Sequence, residues 1–413
     1  MRAAGDAFDL AVVGCGAAGL MAAIQAGGAA AAKVSPLSIV AVDGAARIGA
    51  KILIAGGGRC NVTHDVVDET AFSGSTPPAI RNVLRRFGVE ETIRFFEELG
   101  VRLKREETGK LFPVTNRART VLEALLHAAD RVGVELMNPW RVENIAKLEQ
   151  GFLLSGPAGE ITARRVILAT GGRSLPKSGS DGAGFELARR LGHTTTPRIL
   201  PGLVPLLLAD GCFVRGLSGI TVPAAITLRS STGKALVAFT GSTLCTHFGI
   251  SGPPVLDISR HWLHARLDDA GAHLEIDWAP GRGDEGVRAA LEKKGAVGRT
   301  LGSFLPERLA DALCREAGVD RAVSYDRLSR EQRATLLRTV CAYRLPVTGD
   351  RGFTHAEVTA GGVPLSEVNL KTMESRICPG LHLAGEILDV DGRIGGFNFQ
   401  WSWASGFVAG TAG

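Results

Sequence analysis

Asp9-Leu10-Ala11-Val12-Val13-Gly14-Cys15-Gly16-Ala17-Ala18-Gly19, with Ser38-Ile39-Val40-Ala41-Val42-Asp43 further on, decides the fold. The first five residues, Asp9 followed by the apolar Leu10–Val13, read as a buried strand. A GxGxxG turn follows and opens an Ala-rich helix through about Ala26, and the second run is another buried strand ending at Asp43. This is a βαβ unit, and its parallel strands imply an α/β sheet. GxGxxG alone is a weak signal. After a strand, at the start of a helix, and with an acid closing the next strand, it is a strong one. Gly14 permits the tight turn, Gly16 lets the backbone reach a diphosphate, and Gly19 lets the helix lie close to the sheet. The helix N-terminus at Ala17 and Ala18 offers free N–H groups and partial positive charge to phosphates. Asp43 is placed to accept hydrogen bonds from ribose hydroxyls. The competing reading is a Gly-rich βα turn with no ligand, and the context argues against it.

Outward from this unit, residues 48–63 form a Gly-rich loop. Amphipathic helices are predicted over Ile80–Leu99 and Arg119–Val132, a third apolar strand over Arg164–Ala169, and a helix over Phe185–Leu191. From about Pro197 the texture changes. Short alternating segments (Val204–Leu208, Ala224–Leu228, Ala235–Thr240, Leu274–Trp278) predict a β unit. Residues 285–341 carry Arg, Leu, Glu and Ala at helical spacing. Nucleotide-domain texture returns near Phe353, with the strand Leu381–Leu383 and a last helix from about Asn398. The expected organisation is therefore discontinuous. Residues 1–196 and 349–413 form a Rossmann-like domain, 197–284 with about 342–348 an inserted β domain, and 285–341 a helical subdomain within the insert.

Three features favour FAD over NAD as the resident dinucleotide. The first is the loop Gly49-Ala50-Lys51-Ile52-Leu53-Ile54-Ala55-Gly56-Gly57-Gly58-Arg59-Cys60-Asn61-Val62-Thr63, whose glycines let backbone lie against a flat ring or a diphosphate while Lys51 and Arg59 supply charge. The second is Thr170-Gly171-Gly172 after a strand. The third is Gly385-Glu386 with Gly395-Gly396-Phe397-Asn398, where a helix would aim its N–H groups at the flavin pyrimidine edge and stabilise charge on the reduced ring. No second complete GxGxxG unit has its own βαβ context. Gly179-Ser180-Asp181-Gly182-Ala183-Gly184 does not follow a strand directly, so NAD(P)H would bind transiently as a reductant or not at all.

Here the match becomes specific. The run GxKxxxxGGGRCNxT, Thr246-His247-Phe248-Gly249-Ile250-Ser251-Gly252-Pro253, Val358-Thr359-Ala360-Gly361-Gly362-Val363 continuing through Thr372-Met373-Glu374-Ser375, and Ala384-Gly385-Glu386 through Gly392 with Gly395–Trp401 resemble the BaiN-like flavoproteins (YhiN-like, "aminoacetone oxidase family") over nearly the whole chain. The resemblance implies an FAD domain of glutathione-reductase/fumarate-reductase type with an inserted β-barrel-like domain carrying a helical subdomain. It also implies FAD contacts at Gly14, Gly16, Ala18, Gly19, Asp43, Lys51, Arg59, Cys60, Asn61, Val142, Thr170, Gly385, Glu386, Gly396 and Asn398. Ala17, Gly57, Gly171 and Phe397, within the same runs, complete the candidate set.

Two residues are candidates for chemistry. Cys60 follows Arg59, and a nearby cation can activate a thiol. The favoured reading is nevertheless a small residue against the cofactor, since no partner cysteine is adjacent. His247 could donate a proton over the flavin face or serve as a hydrogen-bonded structural histidine, and spacing alone leaves both open. Asp389 and Asp391 with Glu386 are read as turn geometry and ribityl contact, because no His or Cys has ligand spacing with them; no metal is expected.

The bulk numbers set outer bounds. The 413 residues suggest two or three packed units, and 45% hydrophobic with 22% charged residues is ordinary globular composition. The net charge of +5 is mild for this length, and Arg102-Leu103-Lys104-Arg105 is offset by Glu106 and Glu107, so a solvated face is favoured over a nucleic-acid patch. Seven scattered cysteines without a CxxC pair indicate reduced thiols, hence a cytoplasmic protein. No apolar run reaches the roughly 18 residues of a membrane span, and Met1–Asp6 lacks a leader's apolar stretch. The leading function is an FAD-dependent oxidoreductase passing hydride from NAD(P)H to a small organic acceptor, an activated alkene or ketone. An RNA-modifying flavoprotein and a non-catalytic redox sensor are the alternatives, in that order. Substrate and oligomeric state are not legible.

Overall fold

The computed structural model describes residues 7–32, 37–293 and 295–412; the opening segment Met1–Asp6 lies outside the described residues. The chain divides into two compact units. One takes in Met1–Pro201 and Glu357–Gly413 so far as they are described, the other Gly202–Ala356. The insert expected from 197 to 348 is thus placed a few residues later, from Gly202 to Ala356.

The first unit is built on five parallel strands. β1 (Phe8–Val13) is followed by the helix α1 (Ala17–Ala32) and β2 (Ile39–Val42); the strands match the sequence reading within a residue, and the helix runs six residues beyond the expected end at Ala26. β3 (Val134–Met137), β4 (Gly159–Leu168) and β5 (Leu381–Leu383) complete the core in the order β3-β2-β1-β4-β5. β1 pairs in parallel with β2 on one side and β4 on the other, so Val13 stands beside both Val42 and Leu168. The strand order therefore reverses at β1, and such a switch point opens a crevice beyond the carboxyl ends of the strands. β1 and β2 are buried on both faces, which is why they read as continuous apolar runs rather than alternating ones.

Two local expectations needed correction. The single helix expected over Ile80–Leu99 is two, Pro77–Leu84 and Val89–Glu98. Gly88 starts the second, its N–H held by the Glu91 carboxylate at 2.9 Å. The Gly-rich loop 48–63 opens with a helical stretch, α2 (Ala50–Gly58), because Ala50-Lys51-Ile52-Leu53 are good helix formers and Ile52 is buried; the chain leaves helical geometry at Ala55. The last helix, α3 (Phe397–Thr411), starts one residue before Asn398 and lies along α1.

The second unit holds a seven-stranded antiparallel sheet in the order Tyr343–Leu345, His273–Asp277, Thr221–Arg229, Ala235–Thr246, Gly249–Ser251, Leu206–Leu208, Val347–Asp350. Its first and last strands are separated in sequence only by Pro346, so the sheet curls round on itself. Helices Gly283–Leu291, Val297–Gly302, Glu307–Glu316 and Arg330–Cys341 fill the predicted helical stretch. The helix Pro253–Asp268 was not expected. Gly252-Pro253-Pro254 reads as a turn, yet proline in the first helical turn is a start signal, and Val255, Ile258 and Trp262 give the helix its buried face.

Candidate functional site: the crevice at the Gly14 turn

At the switch point the glycines of the βα turn differ in what surrounds them. A Cβ on Gly14 would stand 2.4 Å from the Ala169 carbonyl oxygen, and one on Gly19 would stand 1.8 Å from the Gly14 oxygen. These two are required by the protein's own backbone. Gly16 faces open space, with nothing within 4 Å of a Cβ there. That is the signature expected of a position kept bare for a diphosphate. Ala17 and Ala18 open α1 beside it.

Asp43, at the end of β2, accepts from the Cys15 N–H through Oδ2 and from the Ala45 N–H through Oδ1, both at 2.7 Å. Burial raises its carboxyl above the ordinary value, against the lowering effect of these two bonds. The segment carrying Val142 passes alongside. The Trp140 N–H donates to the Asp43 carbonyl at 2.7 Å, and a Cβ on Gly44 would meet Arg141 Cβ at 3.0 Å. Gly179 closes the same corner, its virtual Cβ 3.8 Å from Asp43 Oδ1. The glycine-rich 179–184 segment thus borders the dinucleotide corner, a role its sequence did not announce.

Opposite, Thr170-Gly171-Gly172 returns to the crevice. Gly184 leaves room for Thr170, since a Cβ there would stand 1.8 Å from Oγ1. Glu386 reaches the same place. Its Oε2 pairs with Lys51 Nζ at 2.5 Å, and its Oε1 accepts from the Thr359 N–H at 2.9 Å. The Thr359 hydroxyl oxygen in turn accepts from the N–H groups of Arg173 and Ser174 at 2.7 and 3.0 Å. This Thr359–Ser174 node was not singled out from sequence, although Thr359 lies in one of the quoted runs. Lys51 and Glu386 are 335 residues apart in the chain, and their ion pair ties the N-terminal loop to the C-terminal one.

In the glycine loop, Gly56, Gly57 and Gly58 have φ of 57°, 69° and 83°, and nothing lies within 4 Å of a Cβ on Gly57. Arg59 is taken up by protein groups, its Nε donating to the Gly56 carbonyl of the loop at 3.4 Å. Its guanidinium lies over Phe112 at 3.9 Å and pairs with Glu106 at 2.6 Å. Cys60 is wholly buried and burial pushes its thiol up to about 12, so the positive neighbour expected to activate it does not do so. At the far end, Gly385 sits against Ala18, where a Cβ would be 2.7 Å from Ala18 Cβ. Gly396 starts α3 at φ 96°, Phe397 is buried, and the Asn398 carboxamide clamps both backbone groups of Gly392, at 2.8 and 2.9 Å. Asp389 and Asp391 are buried around the short strand Val390–Gly392, which pairs with Phe72–Gly74. Among the described residues no group of three or more His, Cys, Asp or Glu could hold a metal ion.

The crevice fits FAD on its own evidence of shape and polarity. Gly16 and Gly57 are open. Asn61 Oδ1 and Thr170 Oγ1 are buried without a partner among the described residues, and such orphaned groups in a folded chain point to a ligand or water. Gly14, Gly16, Gly19, Asp43, Lys51, Thr170, Gly171, Gly385 and Glu386 converge here. Arg59 and the Asn398 side chain are committed to protein partners. His247 belongs to the other unit. It is exposed on the turn between Ala235–Thr246 and Gly249–Ser251, where its carbonyl accepts from Arg215 Nε at 2.9 Å.

A family model described as "HI0933-like protein Rossmann domain" matches residues 8–412. The 3-dehydro-bile acid delta(4,6)-reductase of Clostridium scindens is 35% identical over 408 residues, covering 97% of this chain and 98% of that one. A ribosomal RNA dihydrouridine synthase of Escherichia coli K12 is 32% identical over 411 residues, covering 98% and 97%. Among solved structures, 3-ketosteroid delta1-dehydrogenase from Sterolibacterium denitrificans in complex with 1,4-androstadiene-3,17-dione superposes over 98% of each chain with a TM-score of 0.53 at 13% identity, a likeness of fold. No helix among the described residues is long and apolar enough to cross a membrane.

Proposed function

The chain belongs to the HI0933-like family as an FAD-dependent oxidoreductase, and from that premise we propose that it reduces a carbon–carbon double bond conjugated with a carbonyl, using NAD(P)H as the hydride source. The observation that carries the reading is what two full-length relatives share. A 3-oxo-Δ4,6 bile acid and a uracil ring look unlike one another, yet each presents an alkene activated by a carbonyl. Reduction of such a bond delivers hydride to the β carbon and a proton to the α carbon. Bound FAD supplies the hydride transfer.

The chain's part is to hold the cofactor and manage the proton. Gly14, Gly16, Ala17, Ala18 and Gly19 seat the diphosphate at the α1 N-terminus, and Asp43 accepts from the adenosine ribose, with Val142 beside it. Gly57, Asn61, Thr170 and Gly171 line the flavin end with Cys60 buried behind them, and Gly396, Phe397 and Asn398 begin the helix that caps it. His247 is the candidate proton donor. Its exposed ring stands on a turn that Arg215 braces through the His247 carbonyl.

Anaerobic mixing with NADH and with NADPH tests the donor, and bleaching of the flavin absorbance by one of them is expected. The reduced protein is then offered a 3-oxo-Δ4 steroid or bile acid. Reoxidation with loss of the enone absorbance supports the reading, and no bleaching with either nucleotide removes the NAD(P)H part. An RNA substrate is the second reading, favoured by the E. coli relative. It predicts reoxidation by uridine-containing ribosomal RNA instead, with affinity that falls as salt rises.

A further inference from the structure

His64 has no part in the reading above. It lies on the short strand Thr63–His64, in register with Lys110. Its ring stacks on Phe397, the first residue of α3, with centroids 4.9 Å apart and planes 21° apart. Both ring nitrogens face acceptors: Nε2 is 2.9 Å from the Thr108 carbonyl oxygen, and Nδ1 is 2.9 Å from Asp65 Oδ1. A neutral imidazole carries one N–H and can satisfy only one of them, whereas the imidazolium satisfies both. The Val66 N–H lies farther from Nδ1, at 3.3 Å, and also serves the Asp65 carboxylate. Asp65 is held in place by Arg105, Nε to Oδ2 at 2.5 Å.

The turn that begins α3 runs against this residue. A Cβ on Gly395 would stand 3.5 Å from His64 Cδ2 and 3.7 Å from Lys110 Cε, and one on Gly396 would stand 2.6 Å from the Thr63 carbonyl carbon. The His64 ring and the Lys110 ammonium therefore flank the positive end of a 15-residue helix. A separate sign of a ligand lies three residues earlier in the chain, in the buried and unpartnered Asn61 oxygen.

We propose that the His64 imidazolium, seconded by Lys110, is a positioning charge that reinforces the α3 N-terminus and makes bound FAD easier to reduce by favouring the anionic reduced ring. This rests on the flavin reading above. The test is the midpoint potential of the FAD-loaded full chain, measured by anaerobic dye equilibration at fixed pH, for wild type, His64→Gln, His64→Arg and Lys110→Met. His64→Gln should lower the reduced-to-oxidised ratio at a given potential about tenfold, which is about 30 mV for a two-electron couple. Lys110→Met should shift the same way, and His64→Arg should return toward wild type. A folded, yellow His64→Gln protein with the wild-type potential overturns the proposal. If His64→Gln carries no FAD while wild type does, Lys110→Met decides: a negative shift supports the proposal and no shift overturns it. Colourless wild-type protein overturns the flavin reading itself, a failure distinct from an unchanged potential.

Discussion

Gly16 and Gly19 show how two residues of one motif serve different masters. A methyl on Gly19 collides with the Gly14 carbonyl, whereas a methyl on Gly16 meets nothing of the protein. Gly19→Ala should therefore lower the melting temperature of the flavin-free protein. Gly16→Ala should leave that temperature within about 1 °C while losing most bound FAD, since a single non-clashing surface change moves stability little. Thermal melts of stripped protein and flavin absorbance per chain distinguish the two. Cys60 yields a second expectation. With burial pushing its thiol up to about 12, native protein at pH 7 should resist iodoacetamide at this site, and Cys60→Ser should keep FAD and its rate of reduction. Rapid labelling of Cys60 in the folded state would contradict this. At this scale the glycines and Asp43 were legible because backbone sterics and strand ends constrain them. Arg59, Asn398 and His64 were not, since their roles depend on Glu106, Gly392 and Asp65, which only the folded chain brings to them.

At the scale of elements, α1 and α3 lie against each other through small residues. A Cβ on Gly406 would be 2.5 Å from the Ala18 carbonyl oxygen, and one on Gly410 would be 2.3 Å from that of Ala22. The close approach brings Gly385, with its N–H held by Ser405 Oγ at 2.9 Å, against the phosphate end of α1. Gly406→Ala should cost about 1–3 kcal/mol by overpacking and weaken FAD binding as well, because it moves the two elements that meet at the crevice. Chemical denaturation with and without FAD checks both effects. Strong apolar runs and the GxGxxG turn made β1, α1 and β2 readable. The Pro253–Asp268 helix was missed because proline marks both turns and helix starts, and only Val255, Ile258 and Trp262 facing the sheet of their unit resolve the ambiguity.

For the whole molecule, acid sensitivity has a contribution from His382 within the parallel sheet, and burial pushes His261 on the helix Pro253–Asp268 down to about 4 likewise. Burial pushes His382 down to about 4 from an ordinary 6.5, with Glu374 opposing and Arg165 adding. The unfolded chain takes up this proton near 6.5 and the folded chain not until about 4. Stability should therefore fall as pH drops through that window, by at most about 3 kcal/mol. His382→Gln should flatten the decline in melting temperature between those limits, and an unchanged pH profile would contradict the assignment. The change of texture near Pro197 signalled the insertion, because short alternating strands replace long apolar ones. The limits at Gly202 and Ala356 depend on which residues pack with which unit, and that is not written in composition.

The central claim is that an FAD lies along the Gly14 turn with its ring under α3, and the visible spectrum of the purified, undenatured chain tests it most directly. Absorbance bands of protein-bound oxidised flavin, present on isolation or restored by incubation with FAD and diminished in Gly16→Ala, are the predicted result. A colourless protein that takes up no FAD on reconstitution would contradict it.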